Sequence, residues 1–182
     1  MSLAGKIVST LQTQLGPIVI RYLQDGDAPP MLEFINALSR ERTFVLFQGE
    51  QLTLDQEKVW LRDRLTETEA GSGVSLGAFS GERAVGSCGV IRKPLAETHV
   101  GVLGVSVTLE FRGHGIGGAL IDAAISEATE HIDGLRIIEL SVMGRTIRPA
   151  NSTLHGVSSS MECCQAALRI EEGSSITCLC ID

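Results

Sequence analysis

The spacing of apolar residues at the start of the chain predicts an extension followed by a strand and two helices. Residues 1–17 form the extension, whose apolar side chains recur at helical spacing and predict a short amphipathic helix or an unstable segment. The run of β-forming residues over positions 18–23 predicts the first strand. Asp27 can cap the first helix, and Thr53 with Gln56 forms a capping box for the second.

Further along, the apolar pattern predicts a hairpin and then a strand–helix–strand unit. Residues 74–79 and 84–91 read as the two hairpin strands, and residues 99–108 as a long strand. A helix with a continuous apolar face begins near Ile116, and residues 136–142 form one more strand. This order predicts an α/β fold: a mixed, mostly antiparallel sheet with a central parallel strand pair, joined by a right-handed crossover, and flanking helices.

Composition favours a single domain over residues 1–182 and argues against several functional classes. Hydrophobic residues make up 43% of the chain and charged residues 20%, as in ordinary globular proteins. The net charge of −7 argues against a nucleic-acid partner, which needs basic groups for its phosphates. No apolar run is long enough for a membrane span and no signal segment is evident, so we expect a cytoplasmic protein without a membrane partner. The five cysteines lack zinc-site spacing, so no metal is expected.

A cluster of glycines at the start of the predicted helix carries the strongest chemical signal. Gly113, Gly115, Gly117 and Gly118 directly follow a strand. The first turn of a helix leaves amide N–H groups unpaired, and glycines let the backbone wrap an anion closely. We infer that this turn binds a pyrophosphate, with Arg112 adding charge or bracing the loop.

Two protein classes use glycines in this way. The spacing Gly113-x-Gly115-x-x-Gly118, with Glu139 about 20 residues further on, matches the dinucleotide fingerprint of a nucleotide-dependent oxidoreductase. Such a fold should open with this unit and continue with further βα repeats. Here about a hundred residues of other elements precede the glycines and too little chain follows them, so the context argues against this class.

The second class fits better. Read from Arg112 as Arg-x-x-Gly-x-Gly after Val105-Ser106-Val107, the segment resembles the central motif of the GNAT N-acyltransferases, and the resemblance covers residues 18–144. It implies an N-acetyltransferase that uses acetyl-CoA as co-substrate and acts on a primary amine of a small molecule or a protein. It also implies the groups that bind the coenzyme, with the strand residues on the pantetheine arm and the loop amides on the pyrophosphate: Val105, Ser106, Val107, Arg112, Gly113, His114, Gly115, Ile116, Gly117 and Gly118.

The catalytic groups are less well defined by the resemblance. In this family a thioester would lie where the strands of residues 99–108 and 136–142 splay apart, and a base would assist direct attack by the amine. Related proteins often carry a Glu on the first of these strands, and this chain has none. Glu139 and His99 are the candidate catalytic residues; the alternatives are a salt-bridged surface Glu and a structural His at a strand end.

Five other residues have two readings each. Ser106 and His114 can serve through their side chains or simply face solvent. Phe34 and Trp60, on the early helices, can line an acceptor pocket or pack in the core. Cys88 reads as a small core residue rather than a nucleophile.

The resemblance stops after Gly144, and residues 145–182 form an atypical tail. The family should continue with a helix that carries a Tyr, the usual proton donor to the leaving thiolate, but this chain has a single Tyr, Tyr22. A coding sequence read out of frame after about Gly144 would explain the change. If the tail is real, residues 175–181 can form a final strand, or the sheet edge stays open and favours a homodimer. A catalytically impaired CoA-binding domain is therefore the alternative function.

Overall fold

A single mixed sheet forms the frame of the protein. The computed structural model describes residues 2–42, 48–141, 165–171 and 175–180. In these ranges eight strands lie side by side in the order in which they occur along the chain. The strands are β1 Ile7–Thr13, β2 Gly16–Tyr22, β3 Gly73–Ser80, β4 Arg83–Arg92, β5 Val100–Val107, β6 Ile137–Ser141, β7 Gln165–Glu171 and β8 Ser175–Cys180, and the helices are α1 Ala28–Glu41, α2 Leu54–Glu69 and α3 Ile116–His131.

The strand directions confirm the predicted sheet. Neighbouring strands are antiparallel at every pair but one, and β5 and β6 are parallel, with Val100 opposite Ile137 and Leu103 opposite Leu140. The chain reaches β6 from β5 through α3, which is the crossover that the strand–helix–strand pattern predicted.

The predicted N-terminal helix is wrong, because this segment is strand β1. It forms a hairpin with β2 through Gly16, whose φ of +101° suits glycine. The pairing shifts register between Ile7 and Ser9, so Val8 is an extra, bulged residue. The bulge lets Val8 and Leu11 both pack against the core although they are three residues apart. A three-residue spacing, which looks helical in the sequence, is therefore compatible with a bulged strand.

The helices cover the two faces of the sheet. Helix α3 packs on one face, across β1 to β5, and its buried Leu120 and Ala124 join the larger core cluster with Leu76 of β3. Helices α1 and α2 pack on the other face, where Phe34 and Leu61 form a second cluster. The alternation along each strand sends neighbouring side chains to opposite faces.

The helix starts agree in part with the sequence. The capping box at α2 is confirmed, since Thr53 and Gln56 exchange hydrogen bonds between side chain and backbone. Asp27 stands at the N-cap of α1, but its side chain makes no cap bond. Its carboxylate instead accepts two hydrogen bonds from Arg21, at 2.7 and 2.8 Å, and one from the amide of Gln24 at 2.9 Å. The tertiary ion pair therefore replaces the predicted local cap.

The end of the chain adds two strands to the sheet. Strand β7 pairs with β6, and β8 pairs with β7. The final strand predicted over residues 175–181 corresponds to β8. The segment between Ser141 and β7, including the point at which the reading frame is predicted to change, lies outside the described residues. None of the described helices is both long and apolar enough to cross a membrane.

Candidate active site

The loop before α3 has a backbone shape that only its glycines readily adopt. A 3-10 turn, Leu109–Phe111, leads from β5 into Arg112, and α3 begins at Ile116. Gly113 and Gly115 both have a φ of +79°, and a Cβ added to either would meet no atom within 4 Å. Backbone conformation, and not crowding inside the protein, therefore explains these two glycines. The space outside them is open to a ligand.

The amides of this loop are available to an anion. Among the described residues, the N–H groups from Gly113 to Gly118 donate to no protein acceptor, and the first amide with a partner is that of Ala119, which donates to Gly115 at 3.0 Å. The positive end of the α3 dipole lies at the same place. Six free donors beside a helix start form the type of site that binds a phosphate or pyrophosphate.

Arg112 braces this loop from the side. Its Nε donates to the carbonyl of Val107 at 2.8 Å, and its Nη2 pairs with the carboxylate of Glu41. The other oxygen of Glu41 accepts from the amide of Leu109 at 3.1 Å. One carboxylate at the end of α1 therefore fixes both ends of the turn. No pattern in the sequence indicates Glu41, because its partner Arg112 is far away along the chain.

His114 lies half-buried in the loop with one nitrogen engaged. Its Nδ1 is 2.9 Å from the carbonyl oxygen of Arg112. A carbonyl oxygen can only accept, so Nδ1 carries the proton and Nε2 is the nitrogen left for a ligand. The ring is thus oriented by the same turn that presents the free amides.

The described pairing between the two parallel strands ends beside the loop. Strand β5 pairs with β4 as far as Val107, but its described pairing with β6 ends at Leu103 opposite Leu140. The edge of β5 over residues 104–107 is therefore unpaired on the β6 side in the described part of the chain. An extended ligand can add to such an edge by main-chain hydrogen bonds. Val105, Ser106 and Val107 lie on this free edge.

A cavity of about 420 Å³ lies on the α1 and α2 side of the same edge. This volume is in the range of small-molecule sites. Ser106 of β5 and Ser87 of β4, which are directly opposite each other, form its floor. Both Phe34 and Trp60 line it, and Phe34 also packs in the core cluster with Leu61. That the cavity receives the acceptor stays a prediction. The remaining lining residues come from α1, α2 and the segment before α2: Met31, Ile35, Leu52, Gln56 and Glu57.

Glu57 is the unexpected member of this cavity. It is 3% exposed, and no hydrogen bond or ion pair to its carboxylate exists among the described residues. Burial raises the pKa of Glu57 to about 7. The sequence did carry a signal, because Glu57 precedes Leu61 and Leu65 by one and two helical repeats of four and so belongs to the inward face of α2.

The comparisons with known proteins agree with this geometry. The family model for the acetyltransferases of the GNAT family matches residues 32–150. This chain belongs to the GNAT family. No curated protein matches its sequence.

Solved GNAT structures share the fold at low sequence identity. A GNAT-family acetyltransferase from Streptococcus pneumoniae is 24% identical, with a TM-score of 0.62 over 71% of this chain and 77% of that one. A ribosomal-protein-alanine N-acetyltransferase from Brucella melitensis is 23% identical, with a TM-score of 0.57 over 68% and 73%. A putative acetyltransferase from Salmonella typhimurium, solved with acetyl-CoA, is 16% identical, with a TM-score of 0.59 over 71% and 72%. The predicted family and fold are confirmed.

The GNAT motif strand itself carries no acid, and the two predicted catalytic residues lie away from the free edge. Glu139 lies on β6, opposite Val102 of β5. Its carboxylate is 2.7 Å from the ammonium of Lys93, and this contact raises the pKa of Lys93. His99 precedes β5 and is exposed at the end of that strand opposite to residues 104–107. The structure therefore does not bring either residue to the cavity, and a catalytic role for Glu139 or His99 stays a prediction.

Tyr22 and Cys88 are built into the core. The hydroxyl of Tyr22 donates to Glu127 at 2.8 Å near the C-terminal end of α3, and burial together with Glu127 raises its pKa. The amide loop lies at the other end of this helix. Cys88 is buried in the larger core cluster, which confirms the predicted core residue. Burial raises the pKa of its thiol to about 12, which disfavours the reactive thiolate.

Proposed function

We propose that this protein transfers an acetyl group from acetyl-CoA to a primary amine of a small molecule or a protein. The observation that carries the proposal is the set of six amides at the start of α3 that have no partner among the described residues, next to the edge of β5 whose described pairing with β6 has ended. Membership of the GNAT family supports acetyl transfer. Nitrogen as the acceptor atom is supported by the name of the Brucella relative, an N-acetyltransferase.

The residues present fit the coenzyme. Gly113 and Gly115 hold the loop open with no side chain in front of its amides, which suits a doubly charged pyrophosphate. The backbone of Val105, Ser106 and Val107 offers an extended edge for the amide-containing pantetheine arm. Arg112 is engaged by Glu41 and Val107, so its main contribution is to fix the loop, with its exposed face adding positive charge.

The chain positions the reactants for direct transfer. Acetyl-CoA, when bound, supplies an activated acyl carbon. We place this end of the co-substrate at the edge of β5 beyond Leu103, where the described pairing with β6 ends, and the amine in the adjacent cavity floored by Ser106. Holding both reactants together supplies much of the rate increase of such reactions. A base is needed because an amine is mostly protonated at neutral pH.

Calorimetry with CoA, acetyl-CoA and NAD⁺ tests the proposal. We expect binding of both CoA forms and none of NAD⁺. Absence of heat with either CoA form would overturn acetyl transfer, and binding of NAD⁺ would favour the dinucleotide reading of the glycines. Thiol release across a panel of amines then measures turnover.

One observation favours a second candidate, a CoA-binding domain with impaired catalysis. Tyr22, the single Tyr of the sequence, donates its hydroxyl hydrogen bond to Glu127 and cannot protonate a leaving thiolate at the other end of α3. CoA binding without thiol release from any amine would support this candidate.

A further inference from the structure

Among the described residues, one ionisable group lines the cavity beside Ser106, together with apolar side chains, two hydroxyls and the amide of Gln56. Met31, Phe34, Ile35, Leu52 and Trp60 form most of its wall. Of the described residues that line it, Glu57 is the only charged one, since α1, β4, β5 and the remainder of α2 contribute none. The hydroxyls of Ser87 and Ser106 have no hydrogen-bond partner among the described residues. An unpaired carboxyl at 3% exposure is costly to keep, and such groups cluster at functional sites.

We propose that this cavity binds the acceptor as a primary amine carried on a small apolar or aromatic group, and that Glu57 pairs with its ammonium and takes its proton. The proposal rests on the proposed function, whose acceptor it specifies. The ammonium offers the opposite charge that the buried carboxylate lacks, and the ring of Trp60 and the side chains of α1 offer contact to an apolar substituent. The two serine hydroxyls can accept or donate the remaining hydrogen bonds.

The position of Glu57 suits it as base better than that of Glu139 or His99. Glu139 is neutralised by Lys93, and His99 lies at the wrong end of β5. Glu57 instead shares its cavity with Ser106, which lies on the edge proposed to bind the pantetheine arm. A carboxyl whose pKa lies near neutrality can be ionised to take a proton and can later release it to solvent.

The proton and electron balance is simple. The ammonium gives one proton to the Glu57 carboxylate, and the freed lone pair of the nitrogen forms the bond to the acetyl carbon. The carbon–sulfur bond breaks with its electron pair on sulfur, and the second proton lost by the nitrogen ends on that sulfur through water. Glu57 then returns its proton to solvent. The products are the N-acetylated amine, the CoA thiol and one proton, so no other reactant is required.

Binding in the absence of acetyl transfer tests the site directly. The full chain, saturated with CoA, is titrated by calorimetry with 2-phenylethylamine and with 2-phenylethanol, which has the same ring and no ammonium. The variants are Glu57→Gln and, as matched control, Glu69→Gln, which makes the same change at the exposed last residue of α2. We expect the amine to bind the wild type and the control alike, and the Glu57→Gln substitution to weaken it about tenfold or more. The alcohol should bind weakly to all three.

The outcomes separate this inference from the proposed function. The role of Glu57 is overturned if the amine binds wild type and Glu57→Gln equally, or if the wild type binds amine and alcohol equally. The proposed acetyl transfer still stands in that case, provided that CoA binds. Loss of CoA binding in the wild type overturns acetyl transfer itself. Unchanged CoA affinity in Glu57→Gln shows that the variant is folded. As a second readout, kcat/KM of the wild type should rise with pH through about 7 and lose this limb in Glu57→Gln.

Discussion

The carboxylate of Glu41 binds the guanidinium of Arg112 with one oxygen and the amide of Leu109 with the other. These contacts join the end of α1 to the turn that presents the free amides. Because Arg112 is partly exposed, the ion pair itself is worth little in stability, but it sets the position of the loop. The shape of the proposed coenzyme site therefore depends on a residue that lies outside its motif.

Removal of this brace should weaken coenzyme binding more than it lowers stability. For Glu41→Gln we expect CoA to bind about three- to tenfold more weakly, because the loop amides lose their fixed orientation. The free energy of unfolding should fall by about 1 kcal/mol or less. Calorimetry with CoA and urea denaturation measure the two effects. An unchanged CoA affinity would mean that the loop holds its shape without Glu41.

Glycine substitutions can distinguish an effect of loop shape on CoA binding from an effect of backbone strain on stability. In Gly115→Ala the φ of +79° is unfavourable for a residue with a Cβ, so we expect a loss of about 1 kcal/mol in stability and about tenfold in CoA affinity. Gly81→Ala is the matched control, because Gly81 has a φ of +60° in the β3–β4 turn and is equally uncrowded. It should lose similar stability and keep its CoA affinity. Equal effects of both substitutions on CoA binding would contradict a direct role of the loop.

Glu57 should make the free protein less stable as the pH rises. Its folded pKa of about 7 lies above the ordinary value of 4.5, so the folded state holds a proton that the unfolded chain has already lost. The free energy of unfolding should therefore fall between about pH 5 and pH 8. At pH 8 the free energy of unfolding of Glu57→Gln should be about 1–3 kcal/mol higher than that of the wild type. Urea denaturation at both pH values checks this. A constant difference between the two proteins would place the carboxyl in a polar environment.

Tyr22 should matter for stability and not for turnover. Tyr22→Phe removes the hydroxyl that donates to Glu127 at 2.8 Å, for which we expect a loss of about 1–2 kcal/mol. The raised pKa of Tyr22 means that the wild type loses this advantage as the pH rises above about 10, where the unfolded Tyr ionises. Denaturation at pH 7 and above pH 10 measures both. A large fall in thiol release for this variant would instead make Tyr22 a proton donor.

The reading frame after Gly144 can be tested on the gene. We predict that resequencing across this codon reveals a missing or extra base, and that the frame-restored chain gains a family-like Tyr in the segment that follows. Thiol release should then be faster than with the present sequence, because the leaving thiolate has a donor, while both chains bind CoA. Equal rates, or a clean reading frame, would contradict the prediction.

Local signals predicted the parts of the fold that local chemistry determines. The capping box at Thr53 and the glycines before Ile116 act within one turn of their own positions, and the structure has both α2 and α3 where they indicated. Strand β1 could not be predicted in this way. Its conformation depends on pairing with β2 and on the bulge at Val8, and both are properties of the hairpin and not of the residues alone.

The candidate site likewise has features that the sequence predicts and features that depend on tertiary packing. The free amides of residues 113–118 follow from the glycine pattern, whereas the bracing by Glu41 and the burial of Glu57 depend on how α1 and α2 pack on β4 and β5. A polar residue on the inward face of a helix is visible in the sequence. Whether it meets a partner, water or an empty cavity is decided by distant elements.

Helix α1 contributes to both the apolar cavity and the turn before α3. Its middle, at Phe34, forms a wall of the apolar cavity, and its last residue, Glu41, holds the turn before α3 about 10 Å further along. Because the hydrogen bonds of a 14-residue helix make it stiff, a displacement of Phe34 would also displace Glu41. If a ligand in the cavity displaces α1 and so changes the affinity of the loop for the coenzyme, the coenzyme changes the affinity of the cavity for that ligand by the same factor, as thermodynamic reciprocity requires.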